Sequence, residues 1–381
     1  MATKSDDVSS AGGLHNGIAT DEPLPGAPPK PEPLPAKAFT WSELEAISDR
    51  VPCLFHVDAQ MLGEGIMPRG IVGLLAGPPG SGKSFLALEM ILAVARGGRL
   101  FGTTLSNVPY VQPPDAGRVL YLSLEDDRHT VGRRLRRIVE RGGKAAATME
   151  ALDQVRVVAW DDIEAGCARV LFRPRADRVG LDATDLYLRA CATLEDGQPW
   201  ALIVVDTLAR AARGGVEVDA EAATDMIQQL EQWTKLPGAP TVLLVHHNRK
   251  EGSATDKPFK RLASLMAADN VRGTGALGGS VRWIGMLGKL TASVEEVEKY
   301  GCPRRNVFFE VVKANAVSED AMPRMHLTPD PSPGAQSTGV LRVASPVEQR
   351  AFNEWLEQSE ARKSPSKSNG AGELEYVKGS L

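Results

Sequence analysis

Apolar residues in this chain fall into short runs, several of them unbroken rather than strictly alternating. They are "GIVGLLAG" from Gly70, "RVLYLSLE" from Arg118, "QVRVVAW" from Gln154, "WALIVVD" from Trp200, "TVLLVHH" from Thr241, "SVRWIGML" from Ser280 and "VFFEVV" from Val307. A strand with one wet face alternates, whereas an unbroken run marks a strand buried on both faces of a largely parallel sheet. Between the runs, "SFLALEMILAVARGG" and "AATDMIQQLEQWTK" carry helical spacing. Strand and helix in alternation predict an α/β fold, a central mostly parallel sheet flanked by helices.

The flanks read differently. Residues 1–38 are dense in Pro, Gly, Ser and Asp, as in "DEPLPGAPPKPEPLPAKA", which predicts an extended, disordered tail. A capped helix is expected in "TWSELEAI", with Thr40 or Ser42 as its cap. The core is assigned to residues 39–320, with "KANAV" around Lys313 as its last piece, and residues 321–344 are expected to be a linker. One helix is predicted over 345–363, with Ser345 as N-cap, Pro346 at the first helical position and Glu348 completing a capping box. Phe352, Trp355 and Leu356 give that helix one apolar face. Residues 364–381 are expected to be a disordered tail.

Composition narrows the setting. The chain has 381 residues, 43% of them hydrophobic, and a formal net charge of −4. No apolar run approaches the ~20 residues that cross a bilayer, and no secretory pattern opens the chain. A cytoplasmic protein with no membrane partner is expected. Cys53, Cys167, Cys191 and Cys302 are scattered, so neither a zinc site nor a disulfide framework is supported. The slightly acidic balance argues against coating nucleic acid with the whole surface, but leaves room for a basic channel or loop.

Chemistry enters at the ends of the runs. "GPPGSGKS", Gly77 to Ser84, matches G-x-x-x-x-G-K-[ST], follows an apolar strand and opens a helix. Gly77, Pro79, Gly80, Ser81 and Gly82 shape a loop whose N–H groups face phosphates. Lys83 reaches the β- and γ-phosphates, and the Ser84 hydroxyl holds Mg²⁺. ATP and Mg²⁺ are the expected cofactors. Asp206, at the end of "ALIVVD", fits the acid that orients Mg²⁺ through water. Thr207 follows it where some ATPases have a catalytic Glu. Glu125, the first acid of "LSLEDD", is therefore the candidate to polarise the attacking water, on a strand expected beside the phosphate-loop strand. Asp126 or Asp127 suits the cap of the next helix. Of the pair His246 and His247, the outer His247 is the candidate to sense the γ-phosphate.

The ordered set of phosphate loop, "LSLEDD", "VVDTLAR", "VHHNRK", "VRGTGALGGSVRW" and "KAN" resembles the RepA-type plasmid replication helicases and the wider RecA-like hexameric P-loop ATPases, over roughly residues 50–320. The resemblance implies a homo-oligomeric ring, usually of six, with ATP between neighbours and single-stranded DNA in the central hole. It implies catalytic roles for Glu125 and His247, arginine-finger roles for Arg134 and Arg282, and a contact across the subunit border for Lys313. Arg282 reads as a mid-strand arginine in an apolar run, which is costly unless it meets an anion. In such rings, loops after the acid strand and the sensor strand face DNA. Here they carry Arg210 and Arg213, then Arg249, Lys250, Lys257, Lys260 and Arg261. "GALGGS" lacks the family's acidic residue near Gly279, and the stretch from Gly166 to Arg178 is longer and more basic than the family pattern. Nothing suggests a built-in primase, so a separate primase or replication initiator would be a further partner. Two other readings remain open: a RecA-like ATPase that loads or remodels DNA-bound proteins without unwinding, and a nucleotide-controlled regulatory protein.

Overall fold

The computed structural model describes residues 40–46, 51–57, 65–102, 111–112, 116–141, 150–165, 167–176, 180–212, 216–217, 219–248, 258–272, 275–315, 324–330 and 340–362. The chain divides into two units, Met1–Asp49 and Arg50–Leu381. In the first, the described part is a short helix, Trp41–Ala46. The Glu43 amide donates to Thr40 Oγ1 at 3.3 Å, and the Thr40 amide donates to Glu43 Oε2 at 2.7 Å. Of the two expected caps, Thr40 therefore closes the box.

Nine strands of the second unit form one sheet. In chain order they are β1 (Val72–Gly77), β2 (Arg118–Ser123), β3 (Val155–Ala159), β4 (Trp200–Asp206), β5 (Thr241–His247), β6 (Trp283–Thr291), β7 (Arg305–Ala314), β8 (Met325–Pro329) and β9 (Leu341–Val343). Their spatial order is β9-β8-β7-β6-β1-β5-β4-β2-β3. The six strands from β6 to β3 are parallel, and β7, β8 and β9 extend the sheet antiparallel. Every residue of β1 and of β4 is buried, as their unbroken apolar runs require.

Alternate residues of β1 enter two cores. Leu75 packs toward α1 (Lys83–Arg96) and α2 (Arg128–Arg141). Val72, Leu74 and Ala76 belong to the opposite core, with α3 (Asp185–Leu194), α4 (Ala220–Trp233), α5 (Pro258–Met266) and α6 (Pro346–Arg362). This is the mostly parallel α/β sheet flanked by helices that the sequence leads one to expect of a RecA-like P-loop NTPase. No helix among the described residues is long and apolar enough to cross a membrane.

Several expectations need correction. Strand β2, which carries Glu125 at its tip, is not beside the phosphate-loop strand. Strands β5 and β4 stand between them, because β2 pairs with β4 and β3. The span 321–344 is not simply a linker, since it contains β8 and β9. These strands alternate buried Met325 and Leu327 with half-buried His326, so a search for unbroken runs misses them. "KANAV" is accordingly not the last core piece. Part of the basic stretch after Gly166 folds as a ribbon, Phe172–Pro174 against Leu181–Ala183.

Helix α6 has the expected box: the Glu348 amide donates to Ser345 Oγ at 3.3 Å and the Ser345 amide to Glu348 Oε2 at 2.8 Å. Its Phe352 and Trp355 are buried in the chain's own core, with Leu356 packed against it. The expected tails 1–38 and 364–381 lie outside the described residues.

Candidate active site

The loop from Gly77 to Ser84 joins β1 to α1. Gly82 precedes the helix with φ 97°, a backbone that side chains resist, and a Cβ there would stand 2.6 Å from Leu341 Cδ1 on β9. Gly77 is constrained by contact, since its Cβ would lie 2.8 Å from Leu287 O. Ser81 is fully buried. Lys83 is buried and donates from Nζ to the carbonyls of Gly77 and Pro78, both at 3.0 Å. Burial lowers its pKa to about 8, against the opposing pull of Asp206 and Glu125.

The three consecutive acids after β2 have three different jobs. Asp127 caps α2: its Oδ1 accepts from the Thr130 amide at 2.5 Å, and this bond holds the carboxyl below its usual range. Asp126 receives both terminal nitrogens of Arg134 in a part-buried ion pair. Glu125 is exposed and accepts from the Thr207 hydroxyl at 3.3 Å. It lines a cleft of about 280 Å³ with Gly80, Gly82, Lys83, Ser84 and His247. Strand β2 is two strands removed from β1, yet parallel strands end on one edge, so Glu125 still reaches the loop.

Asp206 is buried at the end of β4, and burial raises its pKa. The Tyr121 hydroxyl donates to its Oδ2 at 2.6 Å, and Ser84 also hydrogen-bonds it. Asp206 Oδ1 is buried with no protein partner. A buried carboxyl oxygen left unmatched, next to a hydroxyl and facing the loop, suits a hard cation, whose charge would offset the burial that raises the Asp206 pKa. The residues present therefore fit Mg²⁺, which Ser84 and Asp206 would hold and which would supply positive charge beside the phosphates.

His247 ends β5 in register with Gly77, and its Nδ1 lies 3.3 Å from Lys83 Nζ. Burial first, then Lys83, lowers its pKa. His246 points elsewhere: it is fully buried, donates from Nε2 to Arg272 O at 2.8 Å, and is held neutral by burial with a pKa of about 4.

The expected arginine fingers separate. Arg134 lines the cleft of its own chain, bound to Asp126 and 5.4 Å from the Phe85 ring centroid. A finger offered to a neighbour must point away from its own pocket, so the structure does not place Arg134 as one. Arg282 is not mid-strand. It precedes β6, is exposed, and donates from its backbone amide to Val72 O at the far end of β1. Lys313 is near it, and donates from Nζ to Gly278 O at 2.9 Å and Gly279 O at 3.0 Å. Neither lines the cleft.

Lys260 and Arg261 sit exposed on helix α5, where a flexible loop was expected; Pro258 opens that helix, as proline does at a first turn. Arg210 ends a short helix, Leu208–Ala211. Arg213, Arg249, Lys250 and Lys257 lie outside the described residues.

Three residues at the site went unnoticed in the sequence: Tyr121, Lys289 and Arg305. Arg305 lines the cleft and donates from Nη2 to Gly80 O. Lys289 Nζ lies 3.4 Å from Pro79 O. Tyr121 had a signal, because a hydroxyl in an apolar run bound for the core must find a partner.

Loop, buried lysine and magnesium-competent oxygens at one edge of a parallel sheet define the class: a P-loop ATPase fold, which implies nucleotide binding. A family model described as an AAA domain matches residues 50–253, more than half of the chain, and the chain belongs to that family. No curated protein matches in sequence. Among solved structures, the RadB recombinase aligns at 16% identity and a TM-score of 0.42, covering 75% of this chain and 96% of its own. A KaiC-like protein from the hyperthermophilic archaeon Pyrococcus horikoshii aligns at 12% identity and a TM-score of 0.42, covering 78% and 98% respectively.

Proposed function

We propose that this protein is an ATP-hydrolysing ring motor of the replicative-helicase type, translocating on single-stranded DNA. Mg·ATP binds the loop through Lys83 and Ser84, with Asp206 behind the metal. Glu125 orients the attacking water, and His247 reads the terminal phosphate beside Lys83. Arg134 serves the pocket of its own chain.

One observation carries the ring. Arg282 is exposed beside Val72, five residue steps from Gly77 along a fully buried strand. Those steps span about 16 Å, so this arginine is remote from its own loop. A guanidinium supplied from a neighbour is a common device for stabilising charge on a transferred phosphoryl group. A second copy's pocket is the anion Arg282 would meet, with Lys313 at its side. The exposed cations Lys260 and Arg261 on α5 support contact with a phosphate backbone.

The test is the ATPase rate with and without single-stranded DNA, together with molecular mass in solution. DNA-stimulated turnover by a ring, and separation of a forked duplex, is the expected result. Stimulation without strand separation would favour a loader or remodeller. A monomer indifferent to DNA would favour a nucleotide-controlled regulator.

A further inference from the structure

Two cations stand together at the outer lip of the phosphate loop, with no carboxylate paired to either among the described residues. Lys289 on β6 and Arg305 at the start of β7 are diagonal neighbours across an antiparallel pair, because Lys289 faces Val307 and Arg305 faces Thr291. Both side chains lie on the face that packs α1, alongside buried Leu287 and Val307. Lys289 reaches the carbonyl of Pro79 and Arg305 that of Gly80. Those carbonyls accept hydrogen bonds but cancel no charge. Among the described residues no carboxylate pairs with either cation. Arg305 Nε is buried without a partner. Burial lowers the pKa of both, and for Lys289 the charges of Arg305 and Arg261 lower it further.

A like-charged, partly desolvated pair destabilises the unliganded protein unless something else uses it. The neighbouring loop is built for phosphate. We propose that Lys289 and Arg305 form a second cationic wall of the phosphate site, supplied by the β6–β7 hairpin of the same chain, and hold the phosphate tail of the nucleotide together with Lys83. This rests on the reading that Gly77–Ser84 binds a nucleoside triphosphate. Arg305 offers a rigid fork whose Nε is still unmatched, and Lys289 a mobile point charge. The second wall would add affinity without taking part in the chemistry, since Lys289 and Arg305 are held on the carbonyls of Pro79 and Gly80, whereas Glu125 is held by Thr207.

The experiment uses the full chain and two variants, Lys289→Met and Arg305→Met, which keep the apolar stems. Binding of Mg·ATP is measured by calorimetry, and melting temperature is measured without nucleotide. Arg305→Met should weaken ATP binding about tenfold or more, the usual effect of losing a hydrogen bond to a charged group. Lys289→Met, half-exposed, should weaken it about threefold to tenfold. The unliganded melting temperature of Lys289→Met should hold or rise, because one of two repelling charges is gone. Affinity and stability moving in opposite directions separates a ligand-binding role from a bracing one. ATP affinity equal to the parent in both variants overturns the proposal, and so does affinity that falls only in step with melting temperature. In either case a Lys83→Ala protein that binds no ATP keeps the phosphate-loop reading. A parent that binds no ATP overturns both.

Discussion

The strand tips around the phosphate loop and the antiparallel β6–β7 hairpin serve the pocket differently: the tips bring the loop with its Lys83 together with carboxylates and a histidine, whereas the hairpin brings only cations. From β1, β5, β4 and β2 come the loop, His247, Asp206 and Glu125, each at the end of a buried strand. From β6, β7 and β9 come Lys289, Arg305 and the apolar cover of Leu341 over Gly82. In a parallel sheet all strands finish on one edge, so chemistry accumulates where apolar runs stop. In an antiparallel hairpin, the residue nearest the loop ends one strand and begins the next. Acids thus sit in predictable places, whereas the cations facing them do not.

The hardest way to break this comparison is at Arg282, which precedes the first strand of the hairpin, at the end remote from the loop. Arg282→Ala should assemble and bind ATP yet hydrolyse it ~10³-fold more slowly or worse, as when an arginine finger is lost. Mixing it with Lys83→Ala should restore part of the turnover, through interfaces that join an intact loop to an intact arginine. Two inactive proteins that stay inactive after proven co-assembly would show that Arg282 does not act between subunits.

Next in size is the parallel side's own acid. Glu125→Gln should keep ATP affinity and lower turnover on the order of 10²-fold to 10⁴-fold, the usual range for a lost general base. Asp126→Asn should cost less, since it only loosens Arg134. If the ranking reverses in single-turnover assays, the water-orienting acid is Asp126.

Tyr121→Phe removes one hydrogen bond to a buried carboxylate and should raise the Mg²⁺ needed for half-maximal nucleotide binding about tenfold. A fluorescent ATP analogue titrated with Mg²⁺ reads this directly. Affinity for the nucleotide without metal should stay near the parent's, and a uniform loss at all Mg²⁺ concentrations would mean a packing role.

The smallest effect lies in the antiparallel half. Arg342 on β9 binds Glu348 at 2.7 and 2.8 Å, and with the Ser345 bonds holds its pKa down at about 2 from a usual 4.5. A depressed carboxyl stabilises the fold above its unfolded pKa, and that contribution fades as pH falls from about 4.5 to about 2. Glu348→Gln should lose about 1–2 kcal/mol at pH 7, the pair being partly solvated. Denaturation curves of variant and parent should converge toward pH 2. A constant gap would place the effect in helix capping alone.

Legibility in the sequence followed the same division. Gly77–Ser84, Glu125, Asp206 and His247 were visible because a motif or an abrupt polar tip marks each one. Strands β8 and β9 read as linker in the sequence because Met325, His326 and Leu327 alternate. Arg282 reads as mid-strand from the run around it, but the strand begins one residue later, at Trp283, and the arginine side chain is exposed. Lys289 interrupts "IGMLGKLT", a signal as plain as the acid after "LYLS", but a lone lysine near a strand end usually just reaches water. Its meaning depends on Arg305 across the hairpin, and that pairing is set by register, which one sequence does not display.

The family match ends at residue 253, but the strand that carries the phosphate loop is closed on one side by β6, which begins at Trp283. Trp283 also donates from its indole nitrogen to Ile66 O at 2.7 Å, tying β6 to the residues just before β1. A fragment cut to the matched span would leave Val72–Gly77 as an open, wholly apolar border with a row of unpaired amides and carbonyls. Strands of that kind recruit one another. Such a fragment is expected to aggregate when expressed, and its failure to turn over ATP would say nothing about the intact protein.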